Sequence, residues 1–134
     1  MEDIAVILLD TQVVIWSALK PDRLSKAAES AIRRARKSDG VSIASITLWE
    51  LAHLIARGRV RATGSVESSV RKLIDGYVIK ELTAEIATIA AQFPENYPGD
   101  PVDRVVGATA RSEGIPLVTA DERIQASRLI TTVW

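Results

Sequence analysis

The chain has 134 residues, 47% of them hydrophobic and 4% aromatic, enough for the core of one globular domain of ordinary size. Its 17 Lys and Arg balance 17 Asp and Glu, so no global field attracts a polyanion, and any nucleic-acid contact has to come from a local basic patch or a bridging cation. With no cysteine and a single histidine, His53, disulfide scaffolds, thiol nucleophiles, thiolate zinc centres and histidine-rich metal sites are excluded.

After the acidic start Met1-Glu2-Asp3, residues 4–9 (IAVILL) form a continuous branched apolar run, as in a strand covered on both faces. The run is too short for a signal-peptide core or a membrane span, so a soluble cytoplasmic protein is expected. A helix starts near Gln12, and another covers 25–37 and stops at Asp39-Gly40. Residues 41–43 read as a strand, and 47–57 as a helix closed by Gly58. A helix over 65–74 ends at Asp75-Gly76, a strand follows at 77–79, and a helix covers 83–92. The loop FPENYPG (93–99) is the longest break; beyond it come a helix over 101–113, with Gly114 after it, and short strands at 116–118 and 129–131. This alternation, without a tight hairpin signal, predicts an α/β fold: residues 1–134 as a single domain, its parallel sheet of about five strands wrapped by helices.

Open parallel sheets bind ligands outside the carboxyl ends of their strands, and acids stand at several such ends. Each has a local reading. Asp10, in ILLDTQVVIW, suits the N-cap of the helix that follows. Thr47-Leu48-Trp49-Glu50 spells a capping box with Glu50 at N3, a position that also turns Glu50 toward the strand ends beside Asp10. Asp100 before Pro101 is a helix-start signature, which puts Asp103 at N3 on the favourable end of the helix dipole. The stretch Val105-Val106-Gly107-Ala108 then marks a helix packed closely on the sheet, and Asp121, in PLVTADERI, suits a turn or a cap.

The four acids also have a collective reading. In a right-handed wound sheet the ends of the first, second and fourth strands converge, which gathers Asp10, Glu50, Asp103 and Asp121 in one cleft. Like charges about 4 Å apart repel by about 4 kcal/mol at an effective dielectric of about 20. Such a group needs a cation or raised pKa values. All-oxygen donors favour Mg²⁺ or Mn²⁺, and such a site activates water and stabilises charge on phosphate oxygens, which makes phosphodiester hydrolysis the leading chemistry.

The stretches LLDTQVVIW, SIASITLWELA, DPVDRVVGATA and PLVTADERI, in that order and spacing, make nearly the whole chain resemble PIN-domain ribonucleases, and more narrowly the VapC toxins of bacterial and archaeal toxin–antitoxin pairs. The resemblance implies that Asp10, Glu50, Asp103 and Asp121 are an acidic quartet that binds Mg²⁺ or Mn²⁺ and cleaves RNA. Asp100 matches an acid common in this subgroup, which leaves open whether it assists or only caps its helix. Thr11, Ser45 and Thr119 match positions that hold the carboxylates by hydrogen bonds. A homodimer and a VapB-like antitoxin whose tail blocks the cleft are implied as well. Gln12 departs from the His often found in relatives, and Gly107 from the commoner Ala; both leave substrate choice more open than cleavage.

Arg57, Arg59 and Arg61 read either as a solvated helix end favourable to the dipole or as a grip on phosphates, and so do Arg33, Arg34, Arg36 and Lys37. Arg104 either seats substrate or pairs with a neighbouring acid. Glu50-Leu51-Ala52-His53 spells a di-iron Glu-x-x-His, but that site needs a second such pair, so His53 is expected as a partly buried helix residue. Trp16, Trp49 and Trp134 are expected as core or dimer-interface anchors rather than base-stacking platforms. Competing readings are a catalytically silent RNA- or protein-binding module whose acids are caps, and a DNA-acting nuclease of related architecture. A phosphatase or receiver domain is disfavoured, because DTQVV has no second acid and the late strands lack a matching lysine.

Overall fold

The computed structural model describes residues 5–134; Met1-Glu2-Asp3 and Ile4, the first residue of the expected leading strand, lie outside the described residues. Five short strands, β1 (Ile7–Leu9), β2 (Val41–Ala44), β3 (Val78–Lys80), β4 (Leu117–Val118) and β5 (Thr132–Val133), form one parallel sheet in the order β3-β2-β1-β4-β5. Leu8 pairs with Ser42 on one side of β1 and with Leu117 on the other. The chain leaves β1 toward β2 and β3, then fills the opposite side with β4 and β5. The order therefore reverses between β1 and β4, and a crevice opens at their carboxyl ends.

Among the described residues seven α-helices wrap the sheet: α1 (Thr11–Leu19), α2 (Lys26–Arg36), α3 (Ser45–Ala56), α4 (Val66–Ile74), α5 (Ala84–Gln92), α6 (Pro101–Glu113) and α7 (Glu122–Ser127). Successive residues of β1 face opposite sides, so Ile7 and Leu9 join one apolar cluster with Val13, Ile32 and Leu51, while Leu8 joins the other with Ile86, Val106 and Ile124. Each fully buried Leu or Ile contributes about 1.5–3 kcal/mol through the area it removes from water. Side-chain caps start five helices, from Ser25, Ser65, Thr83, Asp100 and Asp121.

The structure corrects two expected elements. The last strand is not 129–131. Arg128 adopts a left-handed conformation (φ 57°) that ends α7, Leu129 and Ile130 pack on the second cluster, and pairing with β4 starts only at Thr132. Helix α3 begins at Ser45, directly off β2, rather than at Thr47. Thr47 is then the third helical residue and Glu50 stands in the second turn, so the capping box does not form.

Candidate active site

Asp10 leaves the carboxyl end of β1 at the N-cap position of α1, yet its side chain caps nothing. It is 9% exposed, and its Oδ2 accepts from Thr119 Oγ1 at 2.8 Å. The cap reading of Asp10 therefore fails. Thr119 follows β4, and its Oγ1 also accepts from the Asp121 N–H at 3.1 Å, so one buried hydroxyl joins the ends of the two strands that flank the crevice.

Asp121 both caps and faces the crevice. Its Oδ1 accepts from the N–H groups of Arg123 and Ile124 at 2.8 and 3.2 Å, while Oδ2 lies 3.6 Å from the Arg123 guanidinium. A carboxylate has two oxygens, so the two roles coexist. At α6 they are divided between residues: Asp100 Oδ1 accepts from the N–H groups of Val102 and Asp103, which leaves the Asp103 carboxylate without capping duty. Asp10, Glu50, Asp103 and Asp121 line one cleft of about 390 Å³, together with Gln12 and Leu54; Asp100 is not among its walls.

Crowding marks the electrostatics. The Asp10 carboxyl is pushed up to about 6, chiefly by burial and further by Glu50 and Asp121, against the lowering hydrogen bonds from Thr119 and the Thr11 backbone. Asp103 is pushed up to about 7 by burial and by the charges of Asp10, Asp100, Glu50 and Asp121. Among the described residues no cation is part of the cleft wall; the exposed Arg123 guanidinium reaches only Asp121, from outside it. Among the described residues no group of three or more such side chains converges as a ready ligand cluster. The carboxylates share a cleft and one another's field without converging on one point. The donor set, four carboxylates with no nitrogen or sulfur, fits a hard divalent ion in chemistry.

Other expected contacts are redistributed. Thr119 holds a carboxylate; the Thr11 and Ser45 side chains do not. Thr11 Oγ1 pairs with Thr47 Oγ1 at 3.0 Å, and Ser45 Oγ accepts from the Leu82 N–H, because the early start of α3 turns Ser45 toward the segment after β3. Thr47, fully buried beneath the site, escaped the sequence reading because it was assigned to the cap. Arg104 pairs with no acid among the described residues: its guanidinium donates to the carbonyls of Ala90, Phe93, Pro94 and Tyr97, tying the end of α5 to the loop before α6. Tyr97, also missed, is 1% exposed and donates its hydroxyl to the Asp103 carbonyl at 2.9 Å. Its only signal was an aromatic in a proline-rich loop.

Arg57, Arg59 and Arg61 lie outside the cleft, exposed at the end of α3 and in the connection to α4. Trp16 and Trp134 pack together, half-buried, at 5.8 Å. Trp49 is no core residue: it is 56% exposed and stacks on His53 at 4.9 Å. His53 is exposed rather than partly buried, because it covers a surface ring one helical turn away.

Thr119→Val removes both the donor to Asp10 and the acceptor for the Asp121 amide. Were Asp10 to hold a Mn²⁺ ion, its affinity would fall about 10–100-fold, the usual effect of losing a hydrogen bond that orients a metal ligand. Calorimetric titration of parent and variant measures it, and equal affinities would contradict the assigned role.

Residues 7–128 match the PIN domain family. Ribonuclease VapC22 of Mycobacterium tuberculosis is 37% identical over 130 residues, covering 96% of this chain and 98% of that protein. Among solved structures, VapBC2 from Rickettsia felis, bound to a DNA fragment from their promoter, superposes with a TM-score of 0.72 at 14% identity, covering 95% of this chain and 96% of that one. VapBC-5 from Mycobacterium tuberculosis, a member of the VapBC family of toxin-antitoxin systems, superposes with a TM-score of 0.62 at 17% identity, covering 96% of this chain and 97% of that one. At those identities the structural likeness concerns the fold.

Proposed function

The chain belongs to the PIN domain family, and from that premise we propose that it is a Mg²⁺- or Mn²⁺-dependent endoribonuclease, the toxin of a toxin–antitoxin pair. The observation that carries the reading is the cleft itself: four carboxylates, from positions 10, 50, 103 and 121, line one space with no cation among its walls in the described residues. The named relative, a ribonuclease, supports RNA as substrate over DNA.

Asp10, Glu50, Asp103 and Asp121 would hold the ion. Once bound, it makes water more acidic and offsets charge growing on the phosphate oxygens. The chain's own contribution is orientation and proton handling. Thr119 fixes Asp10, and capping of α7 fixes Asp121. Glu50 and Asp103 make no side-chain hydrogen bond among the described residues, so they are the carboxylates free to meet the attacking water and accept its proton. An antitoxin of the VapB kind and a homodimer complete the reading; toxin–antitoxin assemblies among the structural neighbours support the first.

The test is cleavage of tRNA, rRNA and mRNA, and of DNA of matching sequence, with Mg²⁺, with Mn²⁺ and with EDTA. RNA fragments with defined 5′ ends are expected in either ion and none in EDTA. A protein that leaves RNA intact in both ions is not this enzyme, and one that cuts only DNA has the sister activity.

A further inference from the structure

Two hollows continue the carboxylate cleft. Gln12 and Leu54 line both the cleft and a groove of about 840 Å³, and Leu19 and Arg61 line both that groove and a third hollow of about 220 Å³. Together they make one trough, from the ends of β1 and β4 along α1 and the α3–α4 connection. Charge changes sign along it. Among the described residues the cleft end holds four carboxylates and no cation; the remainder holds Lys20, Arg59, Arg61 and Lys72 and no carboxylate.

Those four cations make no ion pair or side-chain hydrogen bond among the described residues, whereas Arg33, Arg71 and Lys80 are paired with Glu29, Glu67 and Glu113. Of the two basic clusters in the sequence, the structure thus directs Arg59 and Arg61 into the trough and leaves Arg57 and the α2 cluster outside it. The same walls include the apolar Ile15, Trp16, Leu54 and Val60.

We propose that this trough is the bed for a single strand of RNA running away from the cleft on one side of the scissile phosphate; the proposal rests on the nuclease reading above. Successive phosphates lie on Lys20, Arg59, Arg61 and Lys72, and unstacked bases meet the apolar wall, the combination that single-strand binding uses. Gln12, exposed where cleft and groove meet, offers an amide donor and acceptor to the base beside the scissile phosphate. An acidic peptide fits less well. Its carboxylates satisfy the cations, but at the cleft end they meet four more carboxylates, where a phosphodiester sharing a divalent ion with them is held.

The test is the Arg59→Gln/Arg61→Gln double variant of the whole chain; both arginines are exposed, so the core is untouched. Binding of a fluorescein-labelled single-stranded RNA is followed by anisotropy in Ca²⁺ over a series of salt concentrations. Hydrolysis of bis(4-nitrophenyl) phosphate, a diester small enough to use the cleft alone, is followed in Mn²⁺. RNA affinity is expected to fall at least about tenfold, and the slope of log affinity against log salt to shrink by about 1.4, two phosphate contacts at about 0.7 each. Hydrolysis of the small diester should hold at the parental rate, and Arg33→Gln/Arg34→Gln should bind RNA like the parent. Parental affinity and slope in the double variant overturn the proposal, as does an equal loss on the small diester or tighter binding of a polyglutamate peptide than of RNA. If the parent binds RNA but cuts neither substrate, the nuclease reading fails, while the binding comparison still decides the trough.

Discussion

Asp10→Asn is expected to reduce RNA cleavage at least about a thousandfold, about 4 kcal/mol of transition-state stabilisation, and at the same time to raise the melting temperature of the metal-free protein at pH 7.5. The two effects have one cause. Asp10 is buried among like charges, and its folded-state pKa, about 6, lies above the ordinary 3.8. The folded chain therefore binds this proton more tightly than the unfolded chain does. The stability tied to the protonated form is fully present below about pH 4, declines as pH rises toward 6, and is gone above it. Asparagine keeps an oxygen for the Thr119 hydroxyl and carries no charge. At roughly 1.4 kcal/mol per pKa unit the relief is about 1–3 kcal/mol, or a rise of about 4–11 °C for a chain of this length.

Scanning calorimetry in EDTA across pH separates this account from a structural one. The advantage of Asp10→Asn over the parent should be small near pH 4, grow to about pH 6 and level off. Mg²⁺ or Mn²⁺ at pH 7.5 should stabilise the parent more than the variant, because only the parent offers the ion a complete set of carboxylates. An Asp10→Asn protein that melts below the parent in EDTA at pH 7.5 would show that the carboxylate cleft carries no strain to relieve.

Gly107→Ala is expected to cost about 2–4 kcal/mol, although alanine is the better helix former by about 1 kcal/mol. A Cβ at position 107 would overlap the Tyr97 hydroxyl and approach its Cζ to 2.7 Å and Phe93 Cε2 to 3.3 Å. Tyr97 has nowhere to move: it is buried, tilted against Phe93 at 4.5 Å, and bonded to the Asp103 carbonyl. Displacing it frees the turn of α6 that presents Asp103, so cleavage should fall along with stability. Tyr97→Phe alone costs about 1 kcal/mol, the worth of one hydrogen bond. In the Gly107→Ala/Tyr97→Phe pair the missing hydroxyl relieves the tightest overlap, so the two losses should be less than additive in chemical denaturation, and strictly additive losses would separate the two positions. Glycine at 107 thus has a local reason: it leaves room for the Tyr97 ring, whose hydroxyl anchors the first turn of the helix bearing Asp103.

The strand–helix alternation, the helix over 101–113, the caps at Asp100 and Asp121 and the close of α6 at Gly114 were all legible in the sequence. Each depends on neighbours within a turn or two of chain, where propensity and capping rules operate. The same rules offered a cap at Asp10 and a capping box from Thr47, and neither forms. A polar side chain bonds to whatever partner folding brings within about 3 Å, and for Asp10 that partner is Thr119, 109 positions away, while for Thr47 it is Thr11. The arginines show the same limit. Arg59, Arg61 and Arg104 look alike as charges in a string, and only packing turns Arg104 onto four backbone carbonyls while leaving the other two facing an open trough.

By itself, then, the sequence determined most of the elements, several of their ends and a set of acids placed there, because these follow from local stereochemistry and from which residues must leave water. The order of strands around β1, the single space shared by the acids and the cations left lining the trough were decided only in the tertiary structure. Those properties belong to distances between segments, and such distances exist only after the chain has closed on itself.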